Sequence, residues 1–404
     1  MSPIESTNGT VQHPHSPAAA REAPANTPPH THASYTPFVR LEHLQITDYR
    51  NLERVELTFN TPLTVFVGEN AQGKSNLLEA AYMLATMRAI RAETDAQVIR
   101  RGALDDVLPA ARIVGTVSTA DGPLKIEVTL VARPGNQTMA TKTVKVNGVA
   151  KRLSDAVGRM TAVLFTAEDL DMVTGSPSSR RRYLDVLLAQ VDPQYAAARS
   201  RFERVLTQRN SLLKRIREGI ARQDELQFWD DELAKDGGLV FHRRATALNP
   251  ITEYARIAHA QLAPGEGLEV HYRPRIDTEI ELGSIEDDIP ELYSRALSRT
   301  TGRDIAAGMT LTGPHRDDVE FVLDGFAAAG FASRAQQRTI ALSLRLAETR
   351  LLRERRGESP VLLLDDILSE MDAARRGSVL AAIGDVDQMM VTGTDWDRFP
   401  ESFL

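Results

Sequence analysis

Gly68-Glu69-Asn70-Ala71-Gln72-Gly73-Lys74-Ser75 has the residue types and spacing of a phosphate-binding loop. Before it, Leu63-Thr64-Val65-Phe66-Val67 is a short apolar run of the kind that forms a buried strand. After it, Asn76 to Leu84 has helical periodicity. That order suits the chemistry, because backbone N–H groups and a helix N-terminus then converge on an anionic phosphate chain. Lys74 would add a point charge at the β- and γ-phosphates, and the Ser75 hydroxyl would ligate Mg²⁺. A second element completes such a site. Val361-Leu362-Leu363-Leu364-Asp365-Asp366 is an apolar strand ending in two carboxylates, with Asp365 placed to hold Mg²⁺ and Asp366 to orient or deprotonate an attacking water. The plainer alternatives are a glycine turn and a strand ending in a polar turn. Together the two segments predict a nucleoside triphosphate site.

A third segment lies between them. Ser333-Arg334-Ala335-Gln336-Gln337-Arg338 opens a long amphipathic helix at 334–356. Serine at that place reads simply as an N-cap. It can also bring a hydroxyl and a helix N-terminus to the γ-phosphate of a nucleotide held by a second subunit. ATP-binding-cassette ATPases carry loop, serine-glutamine helix and apolar-Asp-Asp strand in this order.

The elements around these segments predict a mixed α/β fold. Strands are expected at 39–46, 52–59, 112–118, 124–131 and 143–146, the last followed by an Asn147-Gly148 turn. These would form an antiparallel flank on the nucleotide core. From 177 to 262 the pattern is helical, with Phe202, Val205, Leu206, Leu212, Leu213, Ile216 and Ile220 forming an apolar stripe of helical periodicity. Two antiparallel helices of modest length would satisfy it. The partition is a disordered tail at 1–37, rich in Ser, Pro, Thr and His; the first half of an ATPase head at 38–170; a helical insertion at 171–305; and the second half of the head at 306–404.

Composition narrows the class. The 404 residues include no cysteine, which removes disulfide, thiolate-metal and cysteine-nucleophile chemistry and fits a reducing, cytoplasmic setting. No apolar stretch approaches the ~18 residues of a membrane helix. A net charge of −7 makes any nucleic-acid contact a local matter. Arg180, Arg181, Arg182, Arg201, Arg204, Arg209, Lys214, Arg215, Arg217 and Arg222 make the helical region locally basic. A solvated helix face carrying intrahelical pairs is the alternative.

Several segments together resemble the bacterial RecF family of recombination mediators. These are Asp48-Tyr49-Arg50-Asn51-Leu52, Gly68-Glu69-Asn70, the stretch from Phe165 to Asp185, Thr312-Gly313-Pro314-His315-Arg316-Asp317-Asp318, Ser333 to Arg338, and Leu363 to Asp372. The resemblance runs from about Leu41 to Asp395. It implies an ABC-type, SMC-like ATPase head with an inserted short helical arm. It further implies an ATP-dependent homodimer that binds single-stranded and gapped duplex DNA, hydrolyses ATP slowly, and assists RecA loading with RecO and RecR in replication-linked repair and the SOS response.

Carried onto this chain, the resemblance places Gly68, Glu69, Asn70, Ala71, Gln72, Gly73, Lys74, Ser75, Asn76, Arg50 and Asn51 at the nucleotide, and Ser333 and Gln336 at a partner's nucleotide. Ser75 and Asp365 go to the metal, Lys74 and Asp366 to catalysis, and Ser369 to Asp372 to contact with the other subunit. Two departures stand out. Ala335 replaces a usual glycine, and Thr392 stands where cassette ATPases carry a switch histidine. An energising subunit of a transporter and a small-molecule P-loop kinase are the readings of another class. The lack of a transport-type signature and the paired aspartates fit them poorly.

Overall fold

A computed structural model describes residues 19–22, 39–104, 106–133, 136–276, 288–367, 373–384 and 386–396. The chain divides into two compact units, residues 1–168 with 348–404 and residues 169–347.

The first unit is built on two sheets. One has the spatial order Ala19–Glu22, Leu63–Val67, Met389–Gly393, Val361–Asp365, Ala162–Phe165. The last four strands run parallel, and Ala19–Glu22 adds antiparallel to Leu63–Val67. Three of the parallel strands are buried at every position, which is why they read as continuous apolar runs and not as alternating ones. The Lys74–Thr86 helix follows the strand that feeds the loop, and its residues from Leu77 to Thr86 are buried.

The other sheet is antiparallel, in the order Leu52–Thr58, Arg40–Tyr49, Ala110–Thr119, Gly122–Arg133, Asn136–Val146, Val149–Lys151. Asn147 and Gly148 both have positive φ, as a two-residue hairpin turn requires. A single buried side chain ties the two sheets together. Gln388 accepts from the Leu41 N–H at 2.7 Å and donates to the Leu41 carbonyl at 2.8 Å. The expected antiparallel flank is therefore present. Of the tail expected at 1–37, only Ala19–Glu22 lies among the described residues, and those four form a strand.

The second unit holds the helices Pro177–Val191, Pro193–Arg217, Leu226–Leu262 and Ile289–Ala307. Leu226–Leu262 is 37 residues long, so the expectation of modest helices fails. Gly237 and Gly238 look like helix breakers in the sequence. In the fold they are contact points, since a Cβ on Gly237 would lie 2.4 Å from Tyr293 Cε1 and 2.9 Å from Phe202 Cε2. Pro250 sits inside the same helix.

Beyond the long helices this unit includes the Leu268–Arg273 strand and the 19-residue Ile289–Ala307 helix. The boundary drawn at 305/306 does not coincide with the division into units. Residues 306–347 cluster with the helices because Asp318–Leu323 pairs along the whole of Leu268–Arg273.

His315 is held in this unit with Nε2 3.0 Å from the Thr310 carbonyl and its ring against Phe202. Burial, aided by Arg316, Arg181 and Arg209, pushes its imidazole down from the ordinary 6.5 to about 4. Between those values the unfolded chain binds a proton that the folded one does not. Stability is then lost as pH falls through this window, by on the order of 3 kcal/mol once pH 4 is reached. Urea unfolding at pH 7 and pH 4.5 is expected to show the loss, and His315→Gln to flatten it; an unchanged pH slope in the variant would exclude His315 as its source.

Candidate nucleotide site and signature helix

In the first unit the sequence-predicted residues converge. Gly73 caps the Lys74–Thr86 helix at φ +99°, a conformation L side chains rarely adopt. A Cβ there would also lie 2.6 Å from Leu52 Cδ2 and 2.8 Å from Asn51 Oδ1. The loop is held from outside by asparagines. Asn51 Nδ2 donates to the Ala71 carbonyl at 3.0 Å, and Asn76 Nδ2 donates to Asn51 Oδ1 at 2.8 Å. Asn51 thus supports the loop's backbone.

Lys74 Nζ donates to the carbonyls of Gly68 (2.7 Å) and Glu69 (2.8 Å), which spans the loop's own mouth. Burial lowers its pKa, against the opposing pull of Asp366 and Asp365. Ser75 Oγ donates to Asp365 Oδ1 at 2.7 Å, so the two residues assigned to the metal are adjacent although 290 positions apart in the chain. A helix N-terminus, an ammonium, a hydroxyl and a carboxylate converge on one loop, and they fit a triphosphate with Mg²⁺. The metal would supply charge neutralisation at the β- and γ-oxygens.

Asp366 takes the left-handed conformation at φ 55°, and its N–H donates to Thr392 Oγ1 at 2.9 Å. The same hydroxyl donates to Asp365 Oδ1 at 2.9 Å. Thr392 therefore aligns the two aspartates, and strain of this kind concentrates where geometry matters for function.

Two residues of the site, Arg91 and Glu79, had no motif to announce them, and a third, Glu168, lay inside a family segment that gave it no role. Arg91 Nη2 meets Asp365 Oδ2 at 2.5 Å, while its Nε and Nη2 reach the two oxygens of Glu168 at 2.8 and 3.2 Å. Burial works against the guanidinium, but Glu168 and Asp365 outweigh it and hold its pKa above the ordinary range. Glu79 is buried on the Lys74–Thr86 helix. It takes a bidentate pair from Arg50 at 2.9 Å and the backbone N–H groups of Ile90 and Arg91 at 3.1 Å. Burial alone would raise the pKa of Glu79, yet these donors lower it. Arg50, assigned to the nucleotide, is in this arrangement the partner of Glu79. The available signal was a lone glutamate on an otherwise apolar helix face.

In the second unit, Ser333 precedes the Arg334–Arg356 helix. Gln336 Oε1 accepts from the Ser333 N–H at 2.9 Å, and Ser333 Oγ accepts from the Gln336 N–H at 3.3 Å, a reciprocal capping box. Ser333, Arg334 and Ala335 are exposed. The segment Ser369 to Asp372, assigned to subunit contact, lies among 368–372, outside the described residues.

The basic helical region needs correction. Arg209 is completely buried, with Nε 2.6 Å from Asp230 Oδ1 and Nη1 2.8 Å from Asp304 Oδ2. Arg180 is buried against Asp318 and the Gly175 carbonyl, and Arg201 is paired with Asp236. Neither Arg209 nor Arg180 can reach a phosphate backbone. Arg204, Lys214, Arg215 and Arg217 remain exposed on the Pro193–Arg217 helix.

The family model described as RecF/RecN/SMC N terminal domain matches residues 40–399. The DNA replication and repair protein RecF of Chloroflexus aurantiacus is 39% identical over 90% of this chain and 95% of its own length. That of Roseiflexus castenholzii is 40% identical over the same shares. Among solved structures, that of the recombination mediator protein RecF-ATP in the RecFOR pathway superposes with a TM-score of 0.80 at 30% identity. It covers 91% of this chain and 94% of that one.

Proposed function

This chain belongs to the RecF family of DNA replication and repair proteins, and we propose that it is an ATP-gated DNA-binding protein whose nucleotide site is completed by a second copy of itself. The observation that carries this reading is the adjacency of Ser75 and Asp365 beneath the Gly68–Ser75 loop. ATP with Mg²⁺ is the ligand that such a loop and carboxylate fit best, and a neighbouring structure is described as RecF-ATP. The exposed Ser333 cap is the group that would meet the γ-phosphate held by the other copy.

Within each copy, Lys74 and the loop amides bind and orient the phosphates, Ser75 and Asp365 hold the metal, and Asp366 positions the water. Turnover is slow in this reading. Aspartate reaches less far than the glutamate usual at position 366, and the Thr392 hydroxyl is already engaged by Asp365. Binding of ATP therefore shifts the population towards the closed pair, and hydrolysis returns it.

DNA, single-stranded and gapped duplex, is the partner macromolecule. Arg204, Lys214, Arg215 and Arg217 supply phosphate contacts with little sequence preference. The proposed partners are RecO and RecR, with help in loading RecA, a reading supported by family membership and by the RecFOR context of the neighbouring structure. Among the described residues no helix is long and apolar enough to cross a membrane. Sedimentation with and without ATP and gapped duplex DNA tests the reading. An ATP-dependent shift to dimer, larger with DNA, is expected, whereas monomer behaviour under every condition would refute it.

A further inference from the structure

A chain of polar groups runs from the buried Ser343 and His259 through the partly exposed Glu266 to Gln336. His259, fully buried in the last turn of the Leu226–Leu262 helix, has Nδ1 3.2 Å from Ser343 Oγ and Nε2 3.2 Å from Glu266 Oε2. The other oxygen of Glu266 accepts from Gln336 Nε2 at 3.1 Å. Gln336 in turn forms the capping box with Ser333. Serine, histidine and glutamate in this order resemble a hydrolase triad. That use is closed, because Ser343 is inaccessible and its hydroxyl donates to the Thr339 carbonyl at 2.7 Å. The group at the exposed end of the chain is Gln336, so the chain acts there.

Donors and acceptors assign the roles. An ionised carboxylate is acceptor-only and the strongest acceptor in the chain, so the His259 proton belongs on Nε2 and points at Glu266, while the Nδ1 lone pair faces the Ser343 hydroxyl, whose one proton is shared between Nδ1 and the Thr339 carbonyl. Glu266 then collects one donor from His259 and one from Gln336. Its own backbone is fixed on both sides. The Glu266 N–H bonds to the Ala263 carbonyl, and Gly267 and Asp324 bond each other twice, at 2.7 and 2.9 Å. A rigid carboxylate therefore grips the amide end of a partly exposed glutamine. Without it, Gln336 would sample several rotamers, and the capping box would have to re-form each time a ligand approached.

We propose that Glu266 is a positioning residue for the Ser333–Gln336 cap, braced by His259, and that it pre-orders the surface a second copy meets. The second clause rests on the ATP-gated reading given above; the first does not.

Comparison of the wild type with Glu266→Ala and Glu266→Gln separates them. In Glu266→Ala, hydrogen exchange at the Ser333 and Gln336 amides is expected to quicken about tenfold, with ATP affinity of the single copy within about twofold. The ATP-dependent dimer should weaken by about tenfold, as loss of one hydrogen bond to a charged group implies. Glu266→Gln can still accept from Gln336 and donate to His259 Nε2, and is expected to recover most of both effects. Unchanged amide exchange in Glu266→Ala, or no recovery in Glu266→Gln, would overturn the positioning role. Faster exchange with an undiminished ATP-dependent dimer would overturn the consequence for the second copy. A wild type that never dimerises with ATP would refute the gate, while the exchange comparison would still decide the role of Glu266.

Discussion

Replacing Arg209 with alanine is expected to cost the second unit about 3–5 kcal/mol of stability, the usual result of breaking a buried ion pair from one side. The guanidinium lies at zero exposure between Asp230 and Asp304, and its Nη1 also donates to Thr310 Oγ1 at 2.8 Å. Asp304 is equally inaccessible. Removing the arginine leaves two carboxylates in a low-dielectric interior, facing each other without a counter-ion. Burial already raises the pKa of Asp230 even with Arg209 present, so the wild-type balance is narrow.

Trp229 is the direct neighbour of Asp230 in the chain, and urea unfolding followed by fluorescence in a Trp396→Phe background reads this event locally. The control is Lys214→Ala or Arg215→Ala on the exposed side of the same helix. Each should change stability by less than about 0.5 kcal/mol, yet weaken DNA binding and reduce its salt dependence by about one counterion. If Arg209→Ala proved as stable as wild type but lost DNA affinity, the buried-network assignment would be wrong.

Lys74→Met is expected to weaken ATP binding by about 10- to 100-fold, the range for losing hydrogen bonds to a charged donor. It should also remove the ATP-dependent dimer at concentrations where the wild type forms it. Among the described residues Lys74 Nζ bonds to carbonyls of its own loop, so the melting temperature without nucleotide should stay near that of wild type. Calorimetric titration with ATP measures the first effect and sedimentation the second. ATP binding abolished while dimerisation and DNA binding stayed indifferent to nucleotide would mean that the loop does not gate assembly.

The nucleotide half of the chemistry was legible because its determinants are local. Gly68 to Ser75 works through backbone N–H groups and a helix terminus, and both depend on neighbours in sequence. The strands at 63–67 and 361–365 were legible for a similar reason, since burial on both faces leaves Val65 to Val67 and Val361 to Leu364 as continuous apolar runs. What carried no local signal was long-range polar pairing. Arg91, Glu168 and Glu79 acquire meaning only when strands far apart in the chain bring Asp365 and Arg50 beside them.

The basic helix shows the same limit from the other side. Arg209 and Arg215 both read as solvated charges among polar neighbours. Only packing against Asp230 and Asp304 buries one of them and leaves the other for solvent.

Gly237 and Gly238 lie inside the Leu226–Leu262 helix for a related reason. Their low helix propensity is a property of the residue, whereas the closeness of Tyr293 and Phe202 is a property of the fold. By itself the sequence determined that a triphosphate loop, a strand-borne pair of aspartates and a capped helix exist, because each is written in adjacent residues. Tertiary structure decided that Ser75 meets Asp365, that Thr392 aligns both aspartates, and that Gln336 is held by Glu266. Those contacts join positions from 26 to 290 residues apart, and a residue's identity says nothing of which distant partner will satisfy its hydrogen bonds.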